Sequence, residues 1–393
     1  MAREADPLAA ASGIGDRLVR AGVWYRGHCN WVGPDGAAQR ALGPGLGGGT
    51  AGVALFLSQL HAATGDPAAR QAALGALGQA LGHADEAHDR GLMTGRLGIA
   101  VAAARCAPLL GEPGLATRAA RLARARPVSR AADFGVLSGV AGEIAGLLAL
   151  ARLLGDERLA RRAAGLGDEL CAGARRGAEG WSWPPPAPHH MHGLCGIADG
   201  AAGAAWALLE LFAAGGDDRH RAAAQRALDY ERHWFDPEAV NWPDLRGIER
   251  RERRGSFRPP LLASWSHGAP GIALTRLRAH AILGDERSRE EAATALATTA
   301  AAVQRALLDH GASFTLADGL AGTADVLLHA PEHAPLAHRV GDVAAGRYAG
   351  SVDGWPCGAG DGFPPGLLGG HAGIGLFYLR LHDPTLPSPL LPV

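Results

Sequence analysis

The sequence predicts an all-α fold, an α/α toroid in which seven helical hairpins form a double ring of inner and outer helices. Three observations support this. Charged amphipathic segments alternate with nearly uncharged apolar ones. No convincing strand pattern is present. A Gly-x-x-Gly phrase followed by an Ala/Leu/Ile-rich run recurs 44 to 68 residues apart, starting at Gly49, Gly95, Gly139, Gly200, Gly268, Gly319 and Gly370.

The elements can be predicted in chain order. Residues 1–42 hold an amphipathic helix at about 8–22 and a polar, aromatic stretch at 23–32. Each Gly-x-x-Gly then opens an inner helix. Gly in a helix interior costs roughly 1 kcal/mol relative to Ala, so its recurrence indicates that a neighbouring helix approaches closely there. Amphipathic outer helices are predicted at about 68–82, 115–126, 157–174, 218–232 and 286–308.

Four Gly-Asp pairs are predicted to mark the end of one helix and the start of the next. Gly favours the position after a helix and Asp the start of the next one. The pairs are Gly65-Asp66, Gly155-Asp156, Gly216-Asp217 and Gly284-Asp285.

A closed ring of repeats predicts one domain over residues 1–393. Its repeats are expected at about 43–82, 91–126, 135–174, 193–232, 263–308, 316–345 and 365–393. Two irregular insertions, 178–192 and 234–262, lead into the fourth and fifth inner helices. Long loops on a rigid scaffold are where function tends to lie. Because both insertions lead to the N-termini of inner helices, we expect both at the same end of the barrel.

Composition narrows the class of protein. The chain is 47% apolar with a net charge of −1, and its charges are interspersed, so nothing indicates nucleic-acid binding. Five scattered cysteines without a C-x-x-C pair favour the reducing cytoplasm. The N-terminus has no apolar signal region. No uncharged apolar run approaches the roughly 20 residues of a membrane span.

The residue before each first glycine is the first source of site candidates. Ser and Thr are good helix N-caps, so Thr94 and Ser138 are interpreted mainly as caps. Asp199 and Asp318 could cap, act chemically, or do both. His267 is a poorer cap at the end of a long loop, which favours a functional role.

Further candidates surround the same predicted mouth of the barrel. His189, His190, His192 and Cys195 precede the fourth inner helix, and His371 lies in the seventh motif. Such residues could hold a metal, but no H-x-x-x-H or C-x-x-C spacing supports one, and exposed loop histidines are the simpler interpretation. Cys357 is a possible thiol near the seventh helix, and the arginine-rich stretch 246–258 is a solvated loop or a site for an acidic peptide.

Taken together, these phrases resemble the lanthionine synthetase C-like, or lanthipeptide cyclase, family over roughly residues 40–392. The similarity is sharpest in three phrases and in the ending at 383–392. These phrases are Ser264-Trp-Ser-His-Gly-Ala-Pro-Gly-Ile272, Gly193-Leu-Cys-Gly-Ile-Ala-Asp-Gly-Ala-Ala-Gly203 and Gly366-Leu-Leu-Gly-Gly-His-Ala-Gly-Ile-Gly-Leu-Phe-Tyr-Leu-Arg-Leu381. The resemblance implies addition of a Cys thiol across a dehydroalanine or dehydrobutyrine of a ribosomally made precursor peptide. A dehydratase or a kinase/lyase enzyme is the implied partner.

The zinc ligands that the resemblance implies are replaced here. The family's Cys and Cys-His positions correspond to Ser266, Ala317 and Asp318. Zn²⁺ favours thiolate and imidazole, so we expect no metal and no other cofactor. The family's catalytic His position is Asp199, and its Asp position falls on Gly135, with Asp133 nearby.

Some cyclase domains of the family lack the zinc set, so the resemblance retains thioether formation. Without metal, the thiol needs a general base and the enolate carbon an acid. His267 or His192 could serve as base, and Asp199 or Asp318 could orient it or donate a proton if burial raises its pKa. We expect substrate contacts from Trp265, Ser266, Cys195, His371 and Arg96.

Two alternatives stay open. One is a non-catalytic scaffold, derived from a cyclase, that binds a peptide or a partner enzyme. The other is different acid/base chemistry by Asp199 and Asp318, by analogy with hydrolases on other α/α barrels.

Overall fold

The computed structural model describes residues 6–35, 38–125, 133–185, 192–215, 217–246, 261–309, 311–351, 354–358 and 363–391. The predicted candidates His189 and His190, Gly216 and most of the arginine-rich stretch lie outside these residues. The described part is mainly helical. Its helices are α1 (Pro7–Ala21), α2 (Thr50–Thr64), α3 (Pro67–Gly82), α4 (Arg96–Leu110), α5 (Pro113–Arg124), α6 (Val140–Leu154), α7 (Glu157–Ala172), α8 (Ala201–Gly215), α9 (Asp218–Trp234), α10 (Ala269–Leu283), α11 (Glu286–Ala306), α12 (Leu320–Leu327), α13 (Ala334–Tyr348) and α14 (His371–His382).

The seven repeat helices, α2, α4, α6, α8, α10, α12 and α14, each begin one residue after the first glycine of a Gly-x-x-Gly phrase. This confirms the prediction that the phrase opens a helix. Their N-terminal two-thirds lie inside the protein: every residue is buried over 50–60 in α2, 140–150 in α6 and 201–211 in α8. A nearly uncharged sequence is what such a helix requires. None of the described helices is long and apolar enough to cross a membrane.

Amphipathic helices pack against the repeat helices. In α5 the buried residues Leu115, Ala119 and Ala123 are four apart, which gives one apolar face. The predicted outer helices are confirmed within about three residues at each end as α3, α5, α7, α9 and α11. Helix α13 was not among the predicted outer helices, because its Ala-rich sequence carries few strongly apolar residues.

The predicted helix ends are confirmed where they are described. Gly65, Gly155 and Gly284 follow α2, α6 and α10 with φ of 75°, 63° and 66°, a left-handed conformation that suits glycine. The Asp66 carboxylate then accepts hydrogen bonds from the backbone N–H groups of Ala68 and Ala69, which caps α3.

The N-cap interpretation of Thr94 and Ser138 is wrong by one residue. The caps are the glycines themselves, Gly95 and Gly139, which offer no side-chain hydrogen bond. Loop carbonyls satisfy the first turn instead: in α6, Val140 N–H donates to Asp133 O at 2.9 Å. Asp318 likewise precedes the N-cap of α12, which is Gly319.

In six of the seven phrases the second glycine lies against a loop carbonyl, which corrects the prediction that a neighbouring helix approaches there. A Cβ at any of these glycines would overlap the carbonyl oxygen six residues earlier. Residues six positions apart are thus brought together by the turn that enters the helix. The pairs are Gly52–Leu46, Gly142–Val136, Gly203–Ile197, Gly271–Trp265, Gly322–Leu316 and Gly373–Leu367.

Short strands are present, contrary to the prediction of none. They form three antiparallel hairpins: β1 (Val23–Tyr25) with β2 (His28–Asn30), β3 (Val32–Asp35) with β4 (Ala38–Ala41), and β5 (Arg175–Gly177) with β6 (Gly180–Ser182). Strands of three or four residues are too short for an alternating pattern to be recognised in a sequence. The first predicted insertion, 178–192, begins in the turn between β5 and β6 and contains β6.

The chain forms two compact units. The first comprises Met1–Asp89, Met93–Pro127 and Val303–Pro392, and the second comprises Arg90–Leu92, Val128–Ala302 and Val393. The prediction of one domain with seven repeat ranges stays a prediction.

Within each unit, backbone hydrogen bonds join the loops that enter successive repeat helices. In the first unit, Gly47 N–H donates to Met93 O at 2.8 Å, and Gly47 O accepts from Leu368 N–H at 2.8 Å. In the second unit, Val136 N–H donates to Ala198 O at 2.7 Å. These bonds place the residues before neighbouring repeat helices close together.

Candidate active site

Asp199 ends the loop that enters α8, in the second unit. The hydrogen bond between Val136 N–H and Ala198 O places Asp199 beside the loop of the preceding repeat. Gly135 leaves the room for it, since a Cβ at position 135 would lie 2.5 Å from Asp199 Oδ1. The side chain is half-buried, and its Oδ1 atom is buried without a hydrogen-bond partner among the described residues. Ionisation of a carboxyl group costs free energy when one of its oxygens is buried without a hydrogen-bond partner.

Asp133 faces Asp199 from the neighbouring loop. Its Oδ1 accepts from Gly135 N–H at 2.9 Å, and its Oδ2 accepts from the Ser138 hydroxyl at 2.5 Å. Burial raises the pKa of Asp199, the negative charge of Asp133 raises it further, and the charge of Arg246 opposes both, giving a pKa of about 6. The carboxyl of Asp199 is thus suited to gain and lose a proton near neutral pH.

A second acidic residue, Asp244, lies in the segment before α10. It accepts two side-chain hydrogen bonds to Oδ2 from Arg246, at 3.1 Å from Nε and 2.7 Å from NH2. Burial acts to raise the pKa of Asp244, but the hydrogen bonds from Arg246 and the charges of His267 and Arg246 outweigh it, and the net shift is downward. Arg246 therefore pairs with Asp244, and its charge also acts on Asp199.

Ser266 and His267 lie in the loop that enters α10, close to the loop that carries Asp199. His267 is 5% exposed, and its backbone is held by Ser264, whose N–H donates to His267 O at 3.0 Å. The loop before Asp199 approaches Ser266 directly: a Cβ on Gly196 would lie 2.6 Å from Ser266 O. Gly196 also has a φ of 97°, so the position suits only glycine.

Three other predicted site residues of the second unit lie close in the sequence to Asp199 or His267. Trp265 and Cys195 are 1% and 3% exposed, so both belong to the protein core. Burial and the charge of Glu231 raise the pKa of the Cys195 thiol well above its usual value, which keeps it protonated. His192 is half-buried, with its ring edge-on to Trp234 at 5.2 Å between centroids. The substrate contacts predicted for Trp265, Ser266 and Cys195, and the base role of His192, stay predictions.

The remaining predicted residues, Asp318, Arg96 and His371, lie in the first unit. Asp318 is exposed before α12. Arg96 begins α4, where its NH2 pairs with Asp85 at 2.9 Å and its Nε donates to Ala84 O at 3.2 Å. Their predicted roles stay predictions.

His371 is the first residue of α14 and is 1% exposed. Burial lowers the pKa of His371 to about 4, helped by the charge of Arg17 and opposed by a hydrogen bond to Pro364. The ring is therefore neutral, with Nδ1–H donating to Pro364 O at 2.9 Å. The ring of Phe363 lies over the imidazole ring, with 3.9 Å between the ring centroids, and Cys357 Sγ is 3.8 Å from His371 Nδ1. Burial raises the pKa of Cys357 to about 12, so this thiol is unreactive.

The residues at the implied zinc positions do not fit zinc. A hydroxyl at Ser266, a methyl at Ala317 and an exposed carboxylate at Asp318 replace the thiolate and imidazole donors that this ion favours. Among the described residues, no group of three or more His, Cys, Asp or Glu side chains is placed to hold a metal ion.

Asp244 was not predicted as a site residue, and Asp133 was predicted only as a neighbour of the expected position. Asp244 lies in the second insertion, 23 residues before His267, and its insertion was predicted to be functional as a whole. No spacing in the sequence connects Asp244 to Asp199, because their proximity through Arg246 depends on how the loops fold.

A family model described as lanthionine synthetase C-like protein matches residues 41–391. Among solved structures, nisin cyclase matches with a TM-score of 0.66 at 17% identity, covering 86% of this chain and 89% of that chain. The GH76 alpha-mannanase of Bacteroides thetaiotaomicron matches with a TM-score of 0.53 at 10% identity, covering 96% and 95%. A search of curated proteins finds no match. The structural likenesses concern the fold, and the match to nisin cyclase confirms the predicted α/α toroid class.

Proposed function

Because the chain belongs to the lanthionine synthetase C-like family, we propose that it is a zinc-independent lanthipeptide cyclase. Its substrate would be a dehydrated, ribosomally made precursor peptide, delivered by a dehydratase or a kinase/lyase partner. The reaction would add a Cys thiol of the peptide to a dehydroalanine or dehydrobutyrine. This finer assignment also rests on the likeness in fold to nisin cyclase.

The reaction transfers one proton from the thiol to the α-carbon of the dehydroamino acid. A base takes the thiol proton, the thiolate sulfur forms a C–S bond to the β-carbon of the alkene, and the π electrons move towards the carbonyl. The resulting enolate takes a proton at its α-carbon, so no atom is lost. A free thiol has a pKa near 8.5, and a base of moderate pKa placed beside it is sufficient.

Asp199 is the group that suits this transfer best, and the observation that supports the proposal is its environment. Its buried Oδ1 has no hydrogen-bond partner among the described residues, while the negative Asp133 helps to raise the pKa of Asp199 to about 6. At neutral pH it is mainly ionised and can accept the thiol proton. Once protonated, it becomes the acid that delivers this proton to the enolate carbon.

The other carboxylates of the site are already engaged. Asp133 accepts from Gly135 and Ser138, and Asp244 accepts from Arg246. We assign Arg246 to stabilise the negative oxygen of the enolate, because its charge already acts on Asp199. His267, in the loop that approaches Gly196, is the alternative base when its ring is neutral.

The test is co-expression of the protein with a dehydratase and a precursor peptide whose core is rich in Ser, Thr and Cys. Thioether formation leaves the peptide mass unchanged but removes free thiols, so alkylation followed by mass spectrometry counts the rings. We expect fewer alkylated thiols with the protein than without it. Peptide binding with an unchanged thiol count would support the non-catalytic scaffold and refute the cyclase.

A further inference from the structure

Glu231 is a buried carboxylate of α9 that touches the loop of Asp199. Its side chain is completely buried, and its Oε1 accepts from Gly196 N–H at 3.1 Å. The N–H of Ala202, in the first turn of α8, lies near enough to this carboxylate to favour its charged form. Glu231 therefore binds the start of the turn that carries Asp199, and its charge lies close to the end of that turn. A negative charge at a helix N-terminus also stabilises that end of the helix.

The same carboxylate reaches the helix that follows His267. Its Oε2 accepts from NH1 of Arg276 at 3.0 Å, and the side chain of Arg276 in α10 is also completely buried. Nε of Arg276 donates to Glu291 at 2.6 Å. Because α10 begins two residues after His267, this ion pair connects the Asp199 turn to the His267 turn.

The backbone of Glu231 reaches the third segment of the site. Its carbonyl accepts from the indole N–H of Trp242 at 3.1 Å, two residues before Asp244. Next to it, Asn241 Oδ1 accepts from the N–H of Trp242 at 2.8 Å and from the N–H of Ala269 at 2.9 Å. One residue thus contacts all three segments that carry Asp199, Asp244 and His267.

We propose that Glu231 is a positioning residue that sets the relative placement of the Asp199, Asp244 and His267 segments. The role rests on the proposed function only for its catalytic consequence, since the placement itself is independent of the reaction. A buried ion pair contributes little net stability compared with an apolar pair. Its advantage is directional. The two carboxylate oxygens accept from Gly196 and Arg276, and the backbone carbonyl accepts from Trp242, so one residue fixes donors from three segments, as supporting groups around a reactive residue do.

The experiment is a double-mutant cycle between Glu231→Gln and Asp199→Asn, read as urea denaturation midpoints at pH 4.5 and pH 7.5. Asp133 and Arg246 face Asp199, and its raised pKa makes ionisation costly in the folded state. Asp199→Asn should therefore stabilise the wild-type background more at pH 7.5 than at pH 4.5. In the Glu231→Gln background the turn loosens and Asp199 becomes hydrated, so we expect this pH-dependent difference to fall to about half or less.

Glu291→Gln is the matched control. It removes a carboxylate partner of Arg276, as Glu231→Gln does, but Glu291 has no contact with Gly196 or Ala202 among its hydrogen bonds in the described residues. We expect this variant to keep the full pH-dependent difference. Equal differences in the Glu231→Gln, Glu291→Gln and wild-type backgrounds would overturn the proposal. If Glu231→Gln does not fold, Glu231→Asp keeps the charge but shortens its reach and is read in the same cycle.

Activity separates this inference from the proposed function. With the reconstituted peptide, Glu231→Gln should slow ring formation about tenfold through misplacement of Asp199, while Glu291→Gln stays near the wild-type rate. No ring formation by the wild-type protein would refute the cyclase, and the stability cycle would still decide the positioning role.

Discussion

Gly135 lies directly against Asp199: a Cβ at position 135 would come within 2.5 Å of Asp199 Oδ1. The glycine therefore belongs to the site as much as the carboxylate does. We expect Gly135→Ala to push Asp199 out of its place and to abolish most ring formation, with a destabilisation of roughly 1–3 kcal/mol from overpacking.

Gly165→Ala is the control for this substitution. Gly165 lies in α7, and a Cβ there would meet nothing within 4 Å. Ala in a helix interior is favoured by roughly 1 kcal/mol over Gly, so this variant should be active and slightly more stable. Ring formation at the wild-type rate by Gly135→Ala would contradict the packing of Asp199 described here.

The pH dependence of stability should reveal the environment of Asp199. Its folded-state pKa, about 6, lies above its usual value of 3.8. Protonation therefore favours the folded state, and stability is lost as pH rises from about 4 through 6. Asp199→Asn removes this loss, so the variant should gain about 1–2 kcal/mol relative to wild type between pH 4.5 and pH 7.5. Urea denaturation at the two pH values measures it, and a constant difference would show that Asp199 titrates normally.

Asp133 should control the pH profile of the reaction. If Asp199 accepts the thiol proton, ring formation rises with pH through about 6 in the wild type, where Asp199 ionises. Asp133→Asn removes the neighbouring negative charge, so the pKa of Asp199 falls and the midpoint moves to lower pH.

The initial rate of thiol loss from pH 4.5 to 8 checks this expectation. Asp168→Asn is the control, because Asp168 is 56% exposed and pairs with Arg219 at 3.3 Å. A midpoint that stays in place after Asp133→Asn would show that the two carboxylates are not coupled.

Chelation tests the interpretation of the replaced zinc positions. The hydroxyl of Ser266, the methyl of Ala317 and the carboxylate of Asp318 cannot supply the soft donors that zinc favours. We expect purified protein to carry far less than one zinc per chain and to form rings equally well after treatment with a chelator. Stoichiometric zinc, together with activity lost on chelation and restored by zinc, would refute the metal-free reaction.

Local signals explain why most of the fold was predictable. The starts of the repeat helices are encoded by a glycine followed by an apolar run, and their ends by pairs such as Gly65-Asp66. Each of these sequence signals lies within a few residues of the helix start or helix end that it determines. The N-cap of α6 was assigned to Ser138 instead of Gly139. Backbone carbonyls of the loop replace a side-chain cap there, and no residue type in the sequence identifies such carbonyls.

The candidate site was only partly predictable, because its contacts join distant segments. Asp199 and His267 were found through their equivalent places before Gly-x-x-Gly phrases. Glu231 was missed since, in the sequence, it is an ordinary charge on an amphipathic helix. Its role depends on Gly196, 35 residues away, and on Arg276, 45 residues away. Such pairings follow from the packing of whole repeats, which no local pattern specifies.

The most direct test of the central claim is the rate at which the wild-type protein and Asp199→Asn remove free thiols from the dehydrated precursor peptide at pH 7.5. Asn has nearly the same shape but cannot carry the proton, so we predict a loss of about 100-fold or more, with Asp168→Asn unaffected. Peptide affinity should stay the same in all three proteins. Ring formation by Asp199→Asn within about threefold of the wild-type rate, a difference too small for the loss of general acid/base catalysis, would contradict the account.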